Sequence, residues 1–549
     1  MIYYHKKQLG DSMFRIKEKI LVFGIMTIIC ILFTSQQIIN NVNSFTADPG
    51  SFEILNSYQG RNNVLKVDRS KTNWYIASFP LGQYRGKEIF IELSADVRRE
   101  GSAGVLSWHV SNPNYPIISM HENAAPDQWH SMKGKKIITP AQNDFRLYLT
   151  NWQMPSNTTV YIANPVITIT EGNPLTPDLS LRPLKEIYSN DFHIGNITDQ
   201  DGKNMSGKYL DLLKHHFNIV TFNAAYPEQI APSSKGGAYQ FANADNILNT
   251  ALINNLQVHG HVLVWHGSEF GAEYGKWMTE GTREEVIQNM NNHITTVLRH
   301  FRGRVNSWDV VNEALKRDIT SAEARRDWRR CIMNLKNGGW GDNLWYEKLG
   351  ADYIELAFRA ARAADPNVTL YYNDDFADVN MAEVGRKMIL DINDRYKKET
   401  GGNRNLIEGV GIQGHLGLGF KGNINDPNNA INNMRAILRK FTDLGIEIAI
   451  TELDIPIGGW QGQGQGRDSI LSERDAIAQA VIYARLLSLF REFSSHIKFV
   501  TFWGIDDSNS WLSVGNPTLF DWKLNAKPAF NAVSDPEGFL RQHGGRTRR

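Results

Sequence analysis

Glu313 and Glu452 each close an apolar, β-rich run. The first run is Val305-Asn306-Ser307-Trp308-Asp309-Val310-Val311-Asn312-Glu313, and the second is Ile446-Glu447-Ile448-Ala449-Ile450-Thr451-Glu452. A Val- and Ile-rich run that stops at a carboxylate reads as a buried parallel strand with a charged residue at its end. Two such ends, far apart in sequence, meet only if the fold brings them together. Paired carboxylates flanking one bond can protonate a leaving oxygen and attack an anomeric carbon, which is the chemistry of glycoside cleavage. The plainer alternative is that each glutamate is a helix N-terminal acid following a strand.

Strand-like runs recur at 192–195, 218–223, 258–266, 305–312, 368–373, 409–414, 446–453 and 499–504. Segments of helical period lie between them, such as 346–364, with Leu349, Tyr353, Leu356, Ala357 and Ala360, and 431–444. Alternation of strand and helix eight times predicts an α/β fold, a (β/α)8 barrel, whose usual size is about 250 residues before insertions. An open doubly wound sheet is the competing architecture, but no Gly-rich phosphate turn follows the first strand. Barrel active sites sit at the C-terminal strand ends, where Asn312, Glu313, His415 and Glu452 all fall. Asp454 lies two residues beyond Glu452 and projects to the same side. His415 can then donate a hydrogen bond that keeps Glu452 ionised, while the charge of Glu452 raises the pKa of Glu313.

The neighbours of the two glutamates sharpen the reading. Trp308-Asp309-Val310-Val311-Asn312-Glu313-Ala314 and Ile450-Thr451-Glu452-Leu453-Asp454 resemble the acid/base and nucleophile signatures of glycoside hydrolase family 10, the xylanase family. The resemblance continues through Gly260-His261-Val262-Leu263-Val264-Trp265-His266, Gly411-Ile412-Gln413-Gly414-His415, Trp503-Gly504-Ile505-Asp506-Asp507-Ser508-Asn509-Ser510-Trp511 and Lys527-Pro528-Ala529-Phe530. It covers about 185–535 and implies a retaining endo-1,4-β-xylanase. Glu313 is then the acid/base, Glu452 the nucleophile, and His415 and Asp454 its support. The same resemblance implies that Asn312 holds a sugar 2-hydroxyl, that His261 and Trp265 line the site of the cleaved sugar, and that Trp503 and Trp511 wall the cleft. Gln413 matches a family residue near the nucleophile.

The chain also departs from the family pattern. The segment Thr221-Phe222-Asn223-Ala224-Ala225-Tyr226-Pro227 stands where the family reads Thr-x-Glu-Asn-x-x-Lys. Ser268 replaces a glutamine, and Asp375-Phe376 follows Asn373-Asp374 where a tyrosine is usual. The missing groups grip sugars upstream of the cut, so the carboxylates argue for a glycosidase while the substrate stays open. Another β-glycan, transglycosylation and a non-catalytic polysaccharide-binding relative are the alternatives.

The chain has 549 residues, enough for two cores, and a net charge of +1, which gives no electrostatic case for nucleic acid. Residues 46–172 alternate with period two at Ile89, Ile91, Leu93, Ala95 and Val97, at Phe145, Leu147 and Leu149, and at Val160 and Ile162. This predicts an antiparallel β-sandwich, laid out like a carbohydrate-binding module. Trp74, Trp108, Trp129 and Trp152 are its candidates for stacking on sugar; a purely structural spacer is the competing reading. Residues 173–183 read as linker, 184–540 as barrel and 541–549 as a basic tail. Lys6, Lys7, Arg15, Lys17 and Lys19 precede an apolar run at 20–33. Residues 1–45 therefore read as a signal peptide or a membrane anchor, which would leave the bulk of the chain outside the cytoplasm. Cys30 and Cys331 give no disulfide framework. His261 and His266, five apart on one strand, would face opposite sides and make a poor metal pair. The expectation is a monomer acting on a polysaccharide with no metal and no cofactor.

Overall fold

The computed structural model describes residues 36–101, 103–111, 117–138, 145–150, 154–266, 276–334, 343–416, 427–457 and 471–544. The apolar run 20–33, Trp152 and Ser268 lie outside them. Contacts divide the chain into two compact units that part between Pro174 and Leu175.

The first unit is an antiparallel sandwich. Its larger sheet runs β2 (Phe52–Tyr58), β3 (Arg61–Asp68), β10 (Thr159–Glu171), β5 (Ile89–Glu100) and β8 (Trp129–Ile138), with β1 (Gln36–Ile39) also on β10. The smaller sheet runs β4 (Tyr75–Pro80), β9 (Arg146–Thr150), β6 (Gly104–Val110) and β7 (Ile117–Ala124). The alternating residues of β5 and β9 share one buried core with Val160 and Ile162. Strand β10 then changes parity. Its register shifts between Ala163 and Val166, and the inward positions become Ile167 and Ile169. The bulge inserts residues on one strand only, which moves the following side chains to the other face.

The second unit is a closed parallel barrel. Its strands are β11 (His193–Ile197), β12 (Ile219–Phe222), β13 (Gln257–Gly260), β14 (Val264–Trp265), β15 (Ser307–Asn312), β16 (Thr369–Asp374), β17 (Gly409–Ile412), β18 (Glu447–Leu453) and β19 (Ile497–Phe502). β11 pairs with β19, and β13 pairs with β15 through His259 opposite Ser307, so the ring closes. β13 and β14 are two pieces of the third barrel strand. Every residue of β15 is buried, as expected of a parallel strand covered on both faces. The helical segment expected at 346–364 is two helices, Leu344–Leu349 and Asp352–Ala364, parted at Gly350, whose φ of 63° is left-handed.

Small residues let the strand ends crowd together. A Cβ on Gly411 would sit 2.2 Å from Oδ1 of Asn373 and 2.8 Å from Cγ2 of Thr451. Only glycine leaves room there for Asn373 to reach across β17 to β18. Glu313, one residue past β15, has φ 53°, an uncommon conformation for a residue with a Cβ. Its N–H is tied to the carbonyl of Asn373 at 2.9 Å, which helps hold that turn.

Candidate active site

Glu452 lies within β18, one residue before its end, and is buried. Its Oε2 is 3.1 Å from Nε2 of His415, and its Oε1 accepts from Nδ2 of Asn373 at 2.9 Å. The other nitrogen of His415, Nδ1, is 3.0 Å from Oδ1 of Asp454. Asp454 is fully buried, and its Oδ2 accepts from Nε1 of Trp511 at 2.8 Å. Burial by itself would discharge the imidazole. Asp454 first, and then Glu452, outweigh burial and hold the His415 pKa well above its usual range. The site therefore holds a buried cation between two carboxylates. Trp511 packs edge-on against His415 at 4.9 Å, and Trp503 does so at 6.3 Å.

Glu313 faces a different set of partners. Its Oε1 accepts from Nε2 of Gln413 at 2.7 Å, and its Oε2 accepts from Nε1 of Trp265 at 3.3 Å. Nε2 of His266 and Nη2 of Arg317 stand 3.6 and 3.9 Å from Oε2. The sequence led us to expect a raised pKa for Glu313, but the structure gives the opposite. Burial does push the carboxyl up, yet the contact with His266, the Arg317 guanidinium and the Gln413 amide outweigh it and hold Glu313 down at about 2. The charge of Glu452 across the site is not the deciding influence.

The two glutamates are joined by an arc of amides. Asn373 donates to Glu452 and, at 2.9 Å, to Oδ1 of Asn312. Gln413 donates to Glu313 and, at 3.4 Å, to the same Asn312 oxygen. Oδ1 of Asn373 accepts from Thr451 at 2.7 Å, and the N–H of Glu452 donates to the Gln413 carbonyl at 2.8 Å. Asn373 spends both ends of its amide on neighbours, and Gln413 donates twice from one nitrogen, so both carboxylates are held by buried amide donors.

His261 is buried, with Nδ1 2.7 Å from Oδ2 of Asp309. Burial works against its charge, but Asp309 prevails and raises its pKa. The placing of His261 and His266 on opposite faces does not hold. The run 258–266 is broken between β13 and β14, so alternation does not carry across it. The field of Glu313 reaches His261, and His266 stands beside Glu313. Among the described residues no group of three or more His, Cys, Asp or Glu is arranged to hold a metal.

Several residues in the site went unread in the sequence. Tyr226 is nine-tenths buried; its ring stacks on Trp265 at 5.7 Å and meets His261 edge-on at 5.3 Å. Burial pushes its phenol well up, and Glu452 and Glu313 push it further. It stands in the departing segment, where Ala224 is buried and Pro227 opens a short helix, Pro227–Ile230. Asn223 is tied by its N–H to Oγ1 of Thr198 at 3.1 Å. Asn373 carried one usable signal: like Asn312, it falls near the end of an apolar strand. Tyr226 and Asp375 were visible only as members of departing segments, with no signal of a role, and for Arg317 no local pattern distinguishes it from an ordinary loop residue.

In the sandwich the three described tryptophans separate. Trp108 is fully buried and packs on Phe45 at 5.6 Å, so it belongs to the core and cannot stack on a ligand. Trp129 is half-buried and donates to the Gln59 carbonyl at 2.9 Å. Trp74 is 83% exposed.

A closed barrel that gathers two buried glutamates and their amide partners at one set of strand ends has the layout of the (β/α)8 glycoside hydrolase class. The family model for glycosyl hydrolase family 10 matches residues 183–536. The chain belongs to that family. An endo-1,4-β-xylanase A of Thermoanaerobacterium saccharolyticum is 29% identical over 498 residues, covering 87% of this chain and 39% of that protein. Exoglucanase XynX of Acetivibrio thermocellus is 30% identical over 444 residues, covering 77% and 36%. The chain thus spans about two fifths of the length of these curated relatives. Among solved structures, a GH10 xylanase with a bacterial Ig-like domain from termite gut is similar at TM-score 0.57 and 27% identity, over 80% of this chain and 94% of that one.

Proposed function

We propose that this chain cleaves a β-1,4-linked xylan-type polysaccharide with retention of anomeric configuration. The observation that carries the reading is the arc from Glu313 through Gln413, Asn312 and Asn373 to Glu452, closed behind Glu452 by His415 and Asp454. Glu452 would attack the anomeric carbon, and its C–O bond to the sugar would form as the glycosidic bond breaks. Glu313 would give its proton to the leaving oxygen, then take one from the water that releases the sugar. The two ends are suited to these roles in different ways. His415 supplies positive charge to the nucleophile, whereas Glu313 has one substantially exposed partner, Arg317, that substrate can displace. The xylanases among the relatives support xylan as the substrate class. The exoglucanase relative, together with Ala224, Tyr226 and Pro227, supports a second reading, that the preferred chain is not plain xylan. The basic and apolar residues before residue 34 support export, with the barrel outside the cytoplasm.

The test is a pair of variants. Glu452→Ala should lose turnover and recover it with azide, giving the inverted glycosyl azide. Glu313→Ala should slow xylo-oligosaccharides far more than activated aryl xylosides. Equal loss of both substrate types in Glu313→Ala would remove it from the acid role.

A further inference from the structure

Glu313 must hold a proton to serve a leaving oxygen, yet its surroundings favour the ionised form. His266 approaches it from the segment after β14, Arg317 from the loop after β15, and Gln413 from the segment after β17. Of the remaining titratable groups, Glu452, Tyr226, Asp374, Asp375 and His261 also feel it or are felt through the same field. Among the described basic groups near Glu313, Arg317 is the substantially exposed one, with 43% of its side chain accessible, whereas His266 and His261 are buried.

Arg317 is also shared. Its Nη2 is 3.9 Å from Oε2 of Glu313, and its Nε is 3.6 Å from Oδ2 of Asp375. Both separations are too long for hydrogen bonds, which for N–H···O lie at about 2.7–3.2 Å. Asp375 follows directly on β16. It is 2% exposed, and neither of its carboxylate oxygens has a hydrogen-bond partner. Burial pushes its carboxyl up to about 6 against the pull of Arg317 and His415, and Glu313 and Glu452 add to the push. A buried carboxylate with both oxygens unsatisfied is costly and calls for a planar donor pair, which a guanidinium supplies.

We propose that Arg317 is a latch on the acid/base, shared in the free protein between Glu313 and Asp375, which the leaving-group sugar moves fully onto Asp375. The proposal rests on the glycosidase reading above. In the free site Arg317 stabilises the Glu313 carboxylate. When a sugar occupies the leaving-group side, Arg317 closes to bidentate contact with Asp375, and Glu313 loses its mobile counter-cation. Glu313 then takes one proton from solvent, and that proton goes to the leaving oxygen. Arg317 and Asp375 are positioning residues, since neither touches the reacting atoms.

The pH dependence of the full-length protein on xylohexaose tests this, with 13C-labelled glutamate to follow Glu313 in the absence of sugar. The basic limb of kcat/KM reports the free protein, and that of kcat reports the complex. In the wild type the first should lie at least about one pH unit below the second, about tenfold in protonated fraction. In Arg317→Met the two limbs should coincide, and the Glu313 carboxyl signal, assigned by its loss in Glu313→Gln, should titrate about one unit higher. Arg317→Lys should restore part of the gap. Asp375→Asn, which removes the receiving charge, should lower kcat about tenfold and move its basic limb down, leaving the kcat/KM limb in place. Coincident limbs in the wild type, or a free-protein titration of Glu313 unchanged in Arg317→Met, would overturn the latch. Turnover that persists in Glu452→Ala would instead overturn the underlying assignment.

Discussion

Replacing His415 by alanine removes the one cation seated between two buried carboxylates, and its consequences can be worked from the contacts. His415 stands 3.1 Å from Glu452 and 3.0 Å from Asp454. A hydrogen bond to a charged partner contributes about 1.5–3 kcal/mol. A pH unit corresponds to about 1.36 kcal/mol, so losing the bond to Glu452 alone is worth about one to two units. Asn373 still donates to the other oxygen of Glu452, and water can enter the space left by the ring, so the lower figure applies. The acidic limb of the pH–rate profile should therefore rise by about one unit. The assay is kcat/KM against pH on an aryl β-xyloside with a good leaving group, where help from Glu313 is small and the acidic limb reports the nucleophile. Stability should fall as well, by about 3–5 kcal/mol, because Asp454 is left buried without its cation. The sign follows from the raised pKa of His415: its contribution is complete below about 6.5 and fades as pH rises through the folded value. An acidic limb that stays in place while the rate falls would mean that Asn373 alone holds the charge, and the reasoning would fail.

Asn373→Ala should cut kcat at least tenfold with little change in KM, because it frees Asn312 and Glu452 together while touching no exposed surface; a pure KM effect in steady-state kinetics would contradict this. With Tyr226 stacked on Trp265 and Pro227 beside it, a second xylose should add little to kcat/KM, so aryl xyloside and aryl xylobioside should differ by less than about tenfold. Tyr226→Ala should widen that difference; a wild-type rise of several orders of magnitude would restore plain xylan as the leading substrate. Trp74→Ala in a Glu452→Gln background should reduce retardation of the full chain in affinity gels containing a β-glycan, since its ring is the most exposed of the described sandwich tryptophans; unchanged migration would favour a spacer role for the sandwich.

The two glutamates could be found from sequence because local pattern is enough to place them. A run of β-branched residues marks a buried strand and sets a carboxylate near its end at a barrel rim, so periodicity makes Glu313 and Glu452 candidates, and the resemblance of their neighbours to family 10 singles them out. The inward faces of β5 and β9 follow from period two in the same way. Periodicity fails where the backbone departs from regular form. The break between β13 and β14 brings His261 and His266 to one site, and the bulge in β10 passes the core from Ile162 to Ile167. It is also silent about depth, since Trp74 and Trp108 look alike as letters yet lie at opposite extremes of burial. The partners of the glutamates were decided by closure of the barrel. Asn373 reaches Glu452 because β16, β17 and β18 lie side by side and Gly411 has no side chain in the way. Arg317 stands in an ordinary charged stretch, Lys316-Arg317-Asp318, and only the fold sets it between Glu313 and Asp375. A carboxylate's identity is written in the sequence, whereas its protonation depends on which groups the fold sets within a few ångströms of it. That is why Glu313 could be named as a candidate acid from the resemblance of its neighbours, while the depressed pKa it carries in the free protein emerged only from the tertiary structure.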